Sequence, residues 1–363
     1  MDAPHIGEEF LDDLRPLGDA ASAATVRAAG SGNAAARRVL SAAELAPLTT
    51  LNDLRSLAAA LLTFGLIAAA MVFGVWAWGS AWVLLGVLVV GVQQHAMFVL
   101  AHEAAHYRLF SRRAVNDAVG RGIGMASGIS MCTYRVIHRL HHNHLYSAED
   151  PDTAIHGGYP RGVGYLWTKL AQDLVGLNAW KTFAYFFGAP ALNVQTHQAA
   201  RPLDDTSAQL RAAARADRWA VLAFQAAAPL ACLAVAGWQG LGQYAVLWVL
   251  PLLTVLQPIL RLRAICEHGA VTDLASPLTA ARTNRTWGTV ANWLGRACLF
   301  PHHVNHHLEH HLYPAVPHYH LPRLHRLLLE KSALQGAEVR DLSDTLHKVF
   351  ATRRQRTPTS LGA

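Results

Sequence analysis

Two long stretches of this chain contain no Asp, Glu, Lys or Arg: Ser56 to His102 and Trp219 to Leu260, about 47 and about 42 residues. One membrane crossing takes about 20 apolar residues, so each stretch is too long for a single span and right for a helical hairpin. Four spans in two hairpins are therefore expected, over about 57–78, 81–101, 219–237 and 243–262. The reversals are visible. Trp78-Gly79-Ser80 divides the first stretch and Gly237 through Gly242 the second, with Trp76, Trp78, Trp82 and Trp238 crowded around them as an interfacial aromatic belt would be. A large soluble helical protein is the alternative, but buried helices rarely run for two membrane thicknesses without a charge. Composition agrees: 52% of residues are hydrophobic and 15% charged, against roughly 25% charged in a soluble domain.

The formal net charge is +7, and the bases flank the hairpins on one side. Arg55 precedes the first hairpin and Arg108, Arg112 and Arg113 follow it; Arg211, Arg215 and Arg218 precede the second, and Arg261 and Arg263 follow it. Neither reversal holds a Lys or Arg. By the positive-inside rule, both termini and the long middle segment face the cytoplasm. The expected fold is an all-α integral membrane protein, with four transmembrane helices in two hairpins and a cytosolic, helical, histidine-rich cap. Residues 1–49 read as a partly disordered cytosolic leader, without the apolar core of a signal peptide. Residues 50–330 read as the membrane domain and 331–363 as a cytosolic tail, whose Arg353-Arg354-Gln355-Arg356 is a solvated run with at most weak attraction for anionic lipid. Helical pieces are expected near 117–134 and 164–187. The second carries Trp167, Leu170, Leu174, Leu177 and Trp180 at helical spacing, which suits either the membrane interface or an ordinary amphipathic helix.

Histidine is the outlying residue type, 21 copies against 24 Asp plus Glu. Three clusters stand out: His102-Glu103-Ala104-Ala105-His106, His138-Arg139-Leu140-His141-His142, and His307-Leu308-Glu309-His310-His311. Residues three and four apart share a helix face, so each cluster can aim two or three imidazoles at one point. The expected topology puts all three on one side of the membrane, joined by Glu267-His268 at the end of the fourth span. One ion takes about three to five protein ligands, so nine imidazoles imply two metals. Imidazole suits Zn, Cu, Fe and Ni alike, and spacing does not choose among them.

Other chemistries fit less of the pattern. His102 to His106 is literally H-E-x-x-H, the zinc-protease pattern, but a protease leaves the other two clusters without work. A histidine-rich metal transporter needs ionisable groups at mid-membrane, and only His95 lies inside a span, near its end. The four cysteines, Cys132, Cys232, Cys266 and Cys298, form no C-x-x-C pair and hold no cluster. Gly120-Arg121-Gly122-Ile123-Gly124 has the wrong spacing for a dinucleotide loop and reads as a packing surface. No nucleic acid is expected as a partner.

The motifs HEAAH, HRLHH followed by Glu149-Asp150-Pro151-Asp152, and NHHLEHHLYP, with two apolar hairpins between them, resemble the membrane fatty acid desaturase superfamily over roughly residues 50–330. The resemblance implies a non-haem centre of two Fe ions, O2 as co-substrate, and removal of two hydrogens from a lipid acyl chain. Carried over residue by residue, the iron ligands would be His102, His106, His138, His141, His142, His268, His307, His310 and His311. His268 rests on its position after the fourth span rather than on a box, and Asn305 matches an Asn that often precedes the third box. All-imidazole ligation calls for outer carboxylates to orient the rings, and Glu103, Asp150, Asp152, Glu267 and Glu309 are candidates, with salt bridges to Arg108, Arg135 or Arg139 as the alternative. With no fused His-Pro-Gly-Gly segment, electrons would come from an external donor of ferredoxin or cytochrome b5 type. The expected location is a membrane, the bacterial inner membrane, with the metal site cytoplasmic. Hydroxylases and carotenoid ketolases of the superfamily share the same boxes, so oxygen insertion into a lipid or carotenoid stays open beside desaturation.

Overall fold

The computed structural model describes residues 39–193, 197, 199–204, 206–274 and 276–351. Most of the expected leader and the Arg353–Arg356 run lie outside the described residues. A short helix α1 (Ala42–Thr49) is closed at its start by a reciprocal Ser41–Glu44 capping box. It leads into α2 (Asp53–Trp76), capped by Asn52, and α3 (Val83–Ala105). The two are joined by a tight turn in which Gly79 has φ 86°. Their close approach depends on missing side chains: a Cβ on Gly86 would lie 3.1 Å from Ala70 O and 3.2 Å from Gly74 Cα.

Among the described residues, three helical runs are long and apolar enough to cross a membrane: Asp53–Trp76, Val83–Ala105 and Ala208–His268, of 24, 23 and 61 residues. A straight helix of the third length would be about 90 Å, roughly three bilayer cores. It does not stay straight. Its first part, α9 (Ala208–Tyr244), leaves helical geometry at Ala236 and Gly237, the latter at φ 60°, ψ −155°. Beyond this break the chain doubles back. Gln225 Nε2 and Trp248 Nε1, about 35 Å apart on a straight helix, both donate to Ala126 O, at 3.1 and 3.2 Å. A Cβ on Gly242 would sit 3.8 Å from Trp78, so both reversals lie at one end of the bundle.

The returning leg is irregular because Pro251 and Pro258 supply no amide hydrogen. A π-turn over Ala245–Val249 passes into α10 (Leu250–Leu253) and α11 (Leu256–His268). Buried amides meet carbonyls of this leg: Gln94 Nε2 donates to Trp248 O at 2.9 Å and Gln257 Nε2 to Leu252 O at 2.7 Å. In an apolar surrounding an unmet carbonyl would be costly.

The remaining elements gather at the end opposite the reversals. They include α4 (Arg113–Ser127), α5 (Met131–His144), α6 (Thr153–His156), α7 (Val163–Leu174) and α8 (Ala179–Phe186). The expected helix near 117–134 is instead the end of α4 and the start of α5, separated at Gly128 with φ 75°. The expected 164–187 helix is likewise cut, at Gly176 with φ 80°, where a Cβ would meet Leu253 O at 3.2 Å. Gly120 and Gly124 in α4 do form a packing surface, since added Cβ atoms would lie 2.8 Å from Ala104 Cβ and 2.7 Å from Ile129 O.

Two small sheets depart from an all-helical chain: β1 (Ala191–Leu192) with β2 (Ala199–Ala200), antiparallel, and β3 (Thr283–Arg285) with β4 (Val339–Asp341), parallel. Between and after them come α12 (Val290–Leu299), α13 (His307–Leu312), α14 (Leu321–Glu330) and α15 (Leu342–Phe350). A core of Leu308, Leu312, Val316, Leu321, Leu324 and Leu328 seats α13 against α14. Residues after 330 thus pack on the rest of the chain through β4 and α15.

Candidate metal centre

The first histidine cluster closes α3, which stops because Tyr107 adopts φ 56°. The Tyr107 ring lies beneath Arg113 and Arg135, whose guanidinium carbons are 3.8 and 4.4 Å from its centroid. The second cluster lies on α5, whose start is held by Ser130 Oγ accepting Thr133 N–H and by the buried Asp217 of α9 accepting Cys132 N–H at 3.0 Å. His268 ends α11. The third cluster lies on α13, with Leu308 and Leu312 turned into the core on the other side.

These elements bring all nine histidines together in two groups. His102, His106, His138, His142 and His310 form one, and His141, His268, His307 and His311 the other, with ligand atoms in each within 4.8 Å of one another. In the first group Nε2 atoms face each other in a chain, His106 to His138 at 2.8 Å, His138 to His142 at 3.0 Å and His142 to His310 at 3.1 Å. The His102 ring centroid is 4.5 Å from those of His138 and His310. In the second group His268 Nε2 is 3.2 Å from His141 Nε2 and 2.8 Å from His307 Nε2, and His311 Nε2 is 3.1 Å from His307 Nε2. The groups abut where the His142 and His311 rings stack at 4.1 Å.

This spacing fits a shared ion. A metal–nitrogen bond of about 2.1 Å puts neighbouring octahedral ligands about 3.0 Å apart. The protonation states agree, because burial pushes His138, His142, His307, His310 and His311 well below the usual imidazole range, and His106 to about 3. Neutral rings present lone pairs.

The opposite ring nitrogens are held by the surrounding chain. His141 Nδ1 lies 3.0 Å from Asp150 Oδ1 and 3.5 Å from Asp152, while His268 Nδ1 donates to Ala280 O at 3.1 Å. Burial opposes a charge on His141, but Asp150 and Asp152 outweigh it and raise its pKa to about 9. Both acids therefore make this ring a strong donor through Nε2. Asp152 also accepts the Tyr185 hydroxyl. Glu267 pairs with Arg263 at 2.8 Å and lies 3.6 Å from His307 Nδ1. Glu103 accepts His318 N–H at 2.9 Å and is 3.5 Å from His102 Nδ1. Glu309 accepts from Thr283 and from His325 Nδ1, the latter at 2.5 Å. Of the arginines offered as alternative partners, Arg135 meets Asp117 at 2.5 Å. Asn305 stands apart, since its side chain donates to Asn284 O at 3.1 Å rather than to a ring.

Other participants were hidden in the sequence. Arg282 is fully buried; it pairs with Glu338 at 3.0 Å and donates to Cys266 O and Ala270 O at 3.0 and 3.2 Å, clamping the backbone on either side of His268. His156 is buried with neither ring nitrogen hydrogen-bonded, its ring 4.8 Å from that of His268, and it groups with His141 and Asp150. The only local signal for His156 was its nearness to Asp150-Pro151-Asp152.

A cavity of about 620 Å³ runs beside both groups, with His102, His138, His141, His268 and His307 at its inner end. One wall is α8, tied to the returning leg by Thr182 Oγ1 donating to Gln257 Oε1 at 2.6 Å. Gln257 lies roughly 17 Å along α11 from His268, inside the second charge-free stretch.

No curated protein matches the chain. A family model described as fatty acid desaturase matches residues 76–343, from the last residue of α2 into α15. That match takes in every histidine of both groups and about three quarters of the sequence, and the chain belongs to the fatty acid desaturase family.

Proposed function

We propose that the chain is a membrane-bound, O2-dependent di-iron desaturase that introduces a double bond into a lipid acyl chain. The observation that carries this reading is the convergence of nine buried imidazoles, with their nitrogens at ligand spacing, in a member of this family. His102, His106, His138, His142 and His310 would hold one iron and His141, His268, His307 and His311 the other. Two bound irons would supply the oxygen activation and hydrogen removal that no side chain can perform on an unactivated C–H bond. The chain's own part is placement. Asp150 and Ala280 O fix the ring orientation of His141 and His268. Tyr134, Phe186 and Leu260 give the cavity an apolar wall suited to holding a hydrocarbon away from water.

The two hairpins would give four crossings, with the reversals on the far side and the histidines at the cytoplasmic face, and the bacterial inner membrane is the location that fits. Electrons would arrive from a separate ferredoxin or cytochrome b5 type donor. In lipid, with donor, oxygen and an acyl lipid, the product is expected to be two hydrogens lighter than the substrate. A product heavier by one oxygen would assign hydroxylation or ketolation, and no oxygen uptake on any acyl lipid would contradict the proposal.

A further inference from the structure

Behind the two histidine groups lies a third set of ligand atoms. His306, Glu309 and His325 each offer one nitrogen or oxygen, all within 4.8 Å of one another, and none of the three belongs to either group described above. Glu309 is two positions from His307, about 200° around the helix, so it leaves α13 on the side away from His307 and His311. His306 stands just before α13, where its backbone bridges to Thr283 of β3, and His325 comes from α14. Three elements meet at this point.

The charge at this point is answered differently from its neighbours. Asp173, Glu267 and Glu338 each pair with an arginine, and Glu103 and Asp150 each face a histidine of the two groups. Glu309 is fully buried, and among the described residues no Lys or Arg pairs with it. Its carboxylate accepts from Thr283 and lies 2.5 Å from His325 Nδ1 and 3.8 Å from His306 Nδ1. That His306 nitrogen is buried with no hydrogen-bond partner, and its ring centroid is 5.0 Å from that of His325. A buried carboxylate without a cation and a buried nitrogen without a partner both cost free energy. One divalent ion between them answers both. With metal–ligand bonds of about 2.0–2.1 Å, tetrahedral ligand atoms stand about 3.3 Å apart, between the two separations seen here. Shifts of about 1 Å or less seat the ion.

We propose that His306, Glu309 and His325 hold one Zn2+ ion, separate from the two irons, that ties the start of α13 to α14. Two imidazoles and a carboxylate without a thiolate form a set that zinc takes, with water in the fourth position. The half-buried His325 gives the ion its way in. The ion braces the helix that carries His307, His310 and His311 and takes no part in the reaction. Untagged, iron-loaded, full-length protein in nanodiscs would be dialysed against zinc chloride and its metals counted. One zinc per chain is expected while the iron count stays unchanged. X-ray absorption at the zinc edge should show a nitrogen and oxygen shell at about 2.0–2.1 Å with the signature of two imidazoles. H306Q and H325Q should each lower zinc affinity on the order of a hundredfold. Zinc should raise the melting temperature of the unsubstituted protein and leave that of either variant where it was, because only the intact site links binding to folding. No retained zinc, iron lost as zinc enters, or equal zinc affinity in both variants would overturn the proposal. One zinc in a protein that yields no unsaturated product would remove the desaturase reading and leave this site standing.

Discussion

At His141 a pair of buried carboxylates determines what an imidazole can do. Asp150 and Asp152 occupy the Nδ1 side, so Nε2 is the nitrogen left to face His268. Asp150→Asn keeps the size and removes the charge, and it should weaken iron retention about 10- to 100-fold, read by metal analysis after dialysis against a chelator. His141→Ala or His310→Ala should abolish product formation while the protein still inserts, each losing iron chiefly from its own group; retained turnover would remove the ligand assignment. Arg282→Met should be costly, on the order of 3 kcal/mol, because a fully buried ion pair and two carbonyl contacts disappear together. Denaturant melting measures that cost, and a shift near zero would contradict the clamp. Burial also pushes His302 and His318 down to about 4. In the unfolded chain such rings take protons near 6.5, so between these values the unfolded state binds more protons and stability falls as pH falls. The loss should be on the order of 2 kcal/mol per ring between pH 7 and pH 5, and the H302Q/H318Q variant should show a flatter profile. The eight histidines of the three boxes were legible because their spacing is local, and His268 only from its place after the fourth expected span. Arg282 with Glu338 was not, since the partners come from distant parts of the chain and neither carries a local signature. Asn305 shows the converse, a residue matched by motif whose hydrogen bond goes to a strand.

At the scale of elements, absence of charge made the hairpins readable, and glycine makes their packing possible. A Cβ on Gly91 would lie 2.5 Å from Val255 Cβ, whereas one on Gly65 would meet nothing within 4 Å. Gly91→Leu should therefore force α3 from the returning leg at a cost of about 1–3 kcal/mol, and Gly65→Ala should be neutral or slightly stabilising. Thermal unfolding in lipid compares them, and equal behaviour would contradict the packing. The breaks at Gly128 and Gly176 were only partly legible. Both glycines stand in the sequence, but a single glycine inside a helical pattern is tolerated unless tertiary contacts require its positive φ. The Gly176 break follows from Leu253 O lying where a side chain would be, a contact no local window contains.

For the whole molecule, the short sheet β3–β4 and the α13–α14 core carry the third histidine cluster across to the end of α3 and α11. Both reversals lie at the other end, and this polarity gives a topology test. Cysteines placed at Ser80 and Gln239 should react with an impermeant thiol reagent from one face of sealed vesicles and a cysteine at Glu149 from the opposite face, each in a background lacking the native cysteines. Labelling of all three from one face would contradict the two-hairpin arrangement. The central claim, that imidazoles from four separate segments grip two ions, is tested most directly by counting iron in the purified protein while reading its ligands by X-ray absorption. The account predicts two irons per chain in a shell of imidazole nitrogens at about 2.1 Å; a single metal ion, or a shell containing sulfur, would contradict it.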